Sequence, residues 1–138
     1  MRPDYAATAP MRRQRFLRHP EQVAAARQFV TEPLVRGSEV RETARLLVSE
    51  IVTSLLDRMP SILSAGSIEV AYVLVDGWLR LEVSDDGGPA RLRRRIHEVR
   101  PERGRGLELV QALASRWGVR EGMGGRTIWF ELGPQPAS

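Results

Sequence analysis

Three groups of residues have the types and spacing to do chemistry. Glu50 and Ser54, in SEIVTS, stand four apart, which on a helix sets both polar side chains on one face beside Leu47 and Ile51. A carboxylate on an otherwise apolar face suits a pocket. A boundary residue reaching out to solvent fits the same spacing. The second group is Asp85-Asp86-Gly87-Gly88. Asp85 can accept hydrogen bonds from a ligand amine, and the glycines let backbone approach a ligand closely. Taken alone, the segment also reads as a turn that ends a strand. The third is Gly104-Arg105-Gly106-Leu107 at a helix start. Bare N–H groups and the helix dipole make an anion site there, and a glycine helix cap is the plainer alternative.

The elements around these residues follow from hydrophobic patterning. Val40, Ala44, Leu47 and Ile51 fall on one helical face, widened by Val48, Val52 and Leu55. Ser38 is the N-cap candidate of this helix and Pro60 its stop. An earlier helix opens at Pro20, carries Val23, Ala26 and Val30 on a stripe, and ends or kinks at Pro33. SIEVAYVLV and WLRLEVSD are strands joined by Asp76-Gly77, a tight hairpin turn. Strand parity puts Asp85 on the face of Leu79, Leu81 and Val83, where a carboxylate needs a partner.

Residues 86–103 break all periodicity and hold six arginines, as lids and binding segments do. GRGLELVQALASRW reads as a helix with Leu109, Val110, Leu113 and Trp117 inward and Gly118 as its C-cap. GVRE and RTIWFEL form a closing hairpin with Ile128, Phe130 and Leu132 on one face. RFLR at 15–18 reads as a short edge strand. The resulting fold class is α+β: a two-layer sandwich of a mostly antiparallel sheet with helices on one face. The domain spans 15–133, between a flexible tail at 1–14 and another at 134–138.

Composition narrows the classes. The chain has 138 residues, 42% hydrophobic and 28% charged, which fits one globular domain. It has no cysteine, so disulfides and thiolate chemistry are excluded. All 21 basic residues are arginine, which excludes a catalytic or P-loop lysine. No apolar run reaches membrane-spanning length, and the first residues lack the apolar core of a secretory signal. The expectation is a cytoplasmic protein with no membrane association. Nucleic-acid binding is disfavoured: the net charge is only +4, and Glu98 and Glu102 interrupt arginines that no aromatics interleave.

In this order and on these elements the motifs resemble the GHKL, or Bergerat-fold, ATP-binding domains. The chain looks closest to the single-domain serine/threonine kinases that act as bacterial anti-sigma factors. The matching stretches are AARQFV, ARLLVSEIVTSLLDR, LRLEVSDDGGP, RGRGLELVQALASRWGV and GGRTIWFEL, covering roughly 15–133. The resemblance implies ATP and Mg2+ as cofactors. It makes Glu50 the general base towards a protein hydroxyl, Asp85 the acceptor of the adenine amine with Gly87 beside it, and Gly104, Arg105, Gly106 and Leu107 the phosphate-wrapping segment. Residues 88–103 become the ATP lid. It also implies a homodimer, with a sigma factor and its antagonist as protein partners.

Several positions depart from the family pattern. Ser54 stands where relatives carry the magnesium-ligating asparagine, and its oxygen sits one bond nearer the backbone. Pro89 replaces a glycine. Met59, Ile62 and Leu63 are apolar in a normally polar loop. Arg126 takes the place of a threonine near the adenine, where a long cation would crowd the pocket or pair with Asp85. Weaker metal ligation hurts phosphoryl transfer more than binding. Two readings therefore stay open: a partner-switching kinase, or a degenerate pseudo-kinase that works as a protein-binding module with weak or no nucleotide binding.

Overall fold

The computed structural model describes residues 2–5, 11–57, 67–85, 105–122 and 125–134. The elements run β1 (Arg12–Leu17), α1 (Gln22–Thr31), α2 (Glu39–Asp57), β2 (Ser67–Val75), β3 (Trp78–Asp85), α3 (Arg105–Leu113), β4 (Arg116–Gly122) and β5 (Gly125–Leu132). The five strands form one sheet in the order β1-β2-β3-β5-β4, with every pairing antiparallel. The helices lie on one face, which is the expected two-layer sandwich.

The long helix forms where its pattern places it. Ser38 Oγ accepts the Arg41 N–H at 3.2 Å, so the expected cap is made. Glu39 and Glu42 in the first turn complement the helix dipole. Ala44, Leu47, Val48, Ile51, Val52 and Leu55 are all buried, a stripe wide enough to face both the sheet and its neighbouring helices. Helix α1 adds Ala26 and Val30 to the core. Its Phe29 meets Phe16 of β1 and Tyr72 of β2 edge-on, at centroid distances of 6.0 and 5.0 Å. Such aromatic pairs contribute about 1 kcal/mol each beyond their buried area.

The β2–β3 turn takes the hairpin geometry its sequence specifies. Asp76 and Gly77 have φ of 50° and 82°, and two successive positive values match the twist of the flanking strands. Alternation then sends Ile68, Val70 and Tyr72, with Leu79, Leu81, Val83, Ile128 and Phe130, beneath the helices.

Three sequence expectations change. The first strand begins at Arg12 rather than Arg15, so Arg12, Arg13 and Gln14 pair with Tyr72, Ala71 and Val70 instead of belonging to a tail. The third helix ends at Leu113. Trp117 and Gly118, read as its last inward residue and its cap, are strand residues opposite Phe130 and Trp129. Leu113 and Trp117 are 45% and 38% exposed, so neither points inward as expected. Cross-strand pairing with β5 overrides the helical periodicity here: Ser115 N–H already donates to Glu131 O at 2.8 Å. Gly118 is needed in the strand because the Trp129 indole lies over it; a Cβ would stand 2.7 Å from the ring nitrogen. Trp129 and Trp78 are half-buried, and Trp117 is exposed.

Candidate functional site

Glu50 and Ser54 are both half-buried on α2, at the rim of the stripe formed by buried Leu47, Ile51 and Leu55. They occupy the flank between core and surface, which both sequence readings allow. Helix α2 packs on β3 and on α3 as well as on α1, so it is the element that links the three groups. Arg105 and Gly106 open α3, and Leu107 is half-buried against the core, anchoring the first turn. Gly87 and Gly104 lie outside the described residues, as do the expected lid and the apolar loop of Met59, Ile62 and Leu63.

Asp85 is where strand parity puts it. It is the last residue of β3, buried, on the helix side of the sheet and in register with Ile68. One of its partners, Arg18, was not legible in the sequence. Arg18, just past the end of β1, sets its Nη2 4.0 Å from Asp85 Oδ1. The two side chains are 2% and 8% exposed, so this is a buried ion pair. β1 and β3 are separated by β2, and no local signal in the sequence connects them. Arg126 lies half-buried on β5, in register with Glu121 and on the helix side with Ile128 and Phe130.

Asp85 presents a buried acceptor, and the first turn of α3 presents backbone N–H groups. Among the described residues no group of three or more His, Cys, Asp or Glu is placed to hold a metal. Magnesium keeps several waters and takes substrate phosphates as ligands, so Ser54, with Glu50 a helical turn away, would supply only part of its shell. An apolar groove lined by Leu34, Val35, Val40, Leu74 and Pro134 opens at the β2–β3 turn, the opposite end of the sheet from Asp85.

The other face of the sheet carries an ion network that sequence reading missed. Glu131 is completely buried there and accepts from Arg2 Nε at 2.5 Å, Arg2 Nη2 at 2.9 Å and Arg80 Nη1 at 2.7 Å. Arg80 also reaches Glu82 at 3.2 Å, and Glu82 takes Arg120 at 2.9 Å. The Arg80 guanidinium lies 4.2 Å from the Trp129 ring centroid, a cation–π contact. Burial alone would push the Glu131 carboxyl up, but the hydrogen bonds from Arg2 and Arg80 outweigh it and hold it below the ordinary value. Tyr5 is buried beside this network, and its phenol is pushed up to about 12, chiefly by desolvation. That Arg80, Glu82 and Glu131 share one network is set by the pairing of β3 with β5 and not by spacing along the chain.

Residues 16–132 match the histidine kinase-like ATPase domain, so the chain belongs to that family. No curated protein matches the chain. Among solved structures, it is similar to the RsbU and RsbW domains of Rv1364c from Mycobacterium tuberculosis, with 23% identity and a TM-score of 0.62. That match covers 94% of this chain and 34% of the other, so the chain spans about a third of that protein's length. The blue-light activated histidine kinase of Erythrobacter litoralis gives 24% identity and a TM-score of 0.47, over 83% of this chain and 40% of the other. Together with the five antiparallel strands and three helices among the described residues, the first of these supports the GHKL fold. Among the described residues no helix is long and apolar enough to cross a membrane.

Proposed function

We propose that this chain is an ATP-binding regulatory domain of the anti-sigma-factor kinase type. It acts in the cytoplasm by partner switching between a sigma factor and its antagonist, as a homodimer. The observation that carries the reading is Asp85, a buried carboxylate at the end of β3 on the helix face of a histidine kinase-like ATPase domain. In this reading Asp85 accepts the amine of the base. The N–H groups opening α3 at Arg105, Gly106 and Leu107, with Gly104 and Gly87, receive the phosphates. ATP, when bound, supplies a transferable phosphoryl group. Glu50, half-buried on α2, is the group to take the proton of a protein hydroxyl.

A second reading has its own observation. Ser54 offers one neutral oxygen, one bond nearer the backbone than that of an asparagine, which favours binding without efficient transfer. Such a protein would act through its contacts with partners rather than through chemistry. Calorimetry with ATP, with and without magnesium, tests both. Micromolar, magnesium-dependent binding that is lost in Asp85→Asn and weakened in Ser54→Ala supports the kinase reading. Binding indifferent to magnesium supports the pseudo-kinase. No binding under either condition rejects the nucleotide site.

A further inference from the structure

The buried Arg18–Asp85 pair bears on how that site is controlled. Phe16, Ile68 and Asp85 form one row across β1, β2 and β3. Arg18 lies one pleat beyond Phe16, at the same end of the sheet, and its guanidinium comes to 4.0 Å from the Asp85 carboxylate. Both side chains are withdrawn from water. A carboxylate in such surroundings needs a compensating charge, and Arg18 supplies it as an ion pair at 4.0 Å, beyond hydrogen-bond length. The amine of a purine is a neutral donor and a weaker partner for the same oxygens.

We propose that Arg18 is a positioning residue that sets the nucleotide affinity of the site by competing with the base for Asp85. The inference rests on the nucleotide reading of Asp85 given above. Binding exchanges a buried ion pair for a neutral N–H···O contact, so the empty site is held against its ligand. The brake is relieved only when the guanidinium is displaced from the carboxylate.

The test is ATP binding by calorimetry on the full chain carrying Arg18→Gln, Arg18→Met or Arg18→Lys, each checked for native circular dichroism. Gln removes the charge and keeps a donor, Met keeps the aliphatic length, and Lys keeps the charge. The expected result is at least tenfold tighter ATP binding for Gln or Met, whichever folds, and wild-type affinity for Lys. Adding Asp85→Asn to the tighter variant should abolish the gain. Unchanged or weaker binding in a folded, uncharged variant overturns the role of Arg18 while leaving the nucleotide site standing. Failure of the wild type and of every folded variant to bind ATP overturns the nucleotide reading, and this inference with it.

Discussion

Arg80 Nη1 donates to Glu131 Oε2 at 2.7 Å, directly across the seam between β3 and β5, and the carboxylate it meets has no exposed surface. A buried carboxylate on the face away from the helices is compensated from two sides, by Arg80 and by Arg2. Removing one member of a buried pair leaves the other uncompensated. Glu131→Ala should destabilise the chain by about 3 kcal/mol, at the low end of such losses because Arg80 keeps Glu82. Urea denaturation would check this; a loss under about 1 kcal/mol would place the network with ordinary surface pairs.

The same carboxyl should shape the acid limb of stability. Its folded-state value lies below the ordinary 4.5 because Arg2 and Arg80 favour the charged form more than burial disfavours it. A depressed carboxyl stabilises the fold above its ordinary value, and that contribution disappears as pH falls from 4.5 through the folded-state value. Urea midpoints measured down the acid range should fall less steeply for Glu131→Gln than for the wild type. Parallel profiles would show that other groups govern acid unfolding.

Tyr5 makes the opposite prediction at high pH. Desolvation, then the nearby Glu131, raises its phenol from 10.0 to about 12, against the pull of Arg2, Arg80 and Arg116. The folded state holds this proton more tightly than the unfolded one, so the stability it contributes is present below pH 10 and lost as pH rises towards 12. The tyrosinate absorbance of the wild type minus that of Tyr5→Phe should titrate near 12. A difference spectrum that titrates at 10 would mean that residues 2–5 do not rest on the sheet in solution.

Gly118→Ala should destabilise by about 1–3 kcal/mol through overpacking. The new methyl group would sit 2.7–2.8 Å from the Trp129 indole, which is itself stacked against Arg80. Thermal melts of Gly118→Ala and of Gly118→Ala/Trp129→Leu separate the causes: the smaller partner should recover part of the loss. A single variant that melts like the wild type would contradict the close approach.

Much of the fold was legible because local signals agreed with the global answer. The Ser38 cap, the α2 stripe and the Asp76-Gly77 turn each depend on neighbours within a few residues. The burial of Asp85 followed from parity alone. Failures came where distant strands decided. Trp117 fits a helical stripe, yet β5 captures it, and β1 extends to Arg12 because β2 offers partners along its length. Arg18 against Asp85 and Arg2 against Glu131 are pairings across the whole topology, which no spacing rule encodes. Of the site itself, Asp85 and the opening of α3 were readable as single positions, while their electrostatic setting was not.

The strand order has a consequence for assembly kinetics. β2–β3 and β4–β5 are hairpins of consecutive strands, whereas β3 and β5 meet only after the chain between Asp85 and Gly125 has doubled back. Short loops close at lower entropic cost than long ones, so the hairpins can form early and the seam between them is the slow step. The first hairpin carries Asp85 and follows Arg18 and α2 in the chain, and the second follows α3. Opening of the seam would part β3 from β5.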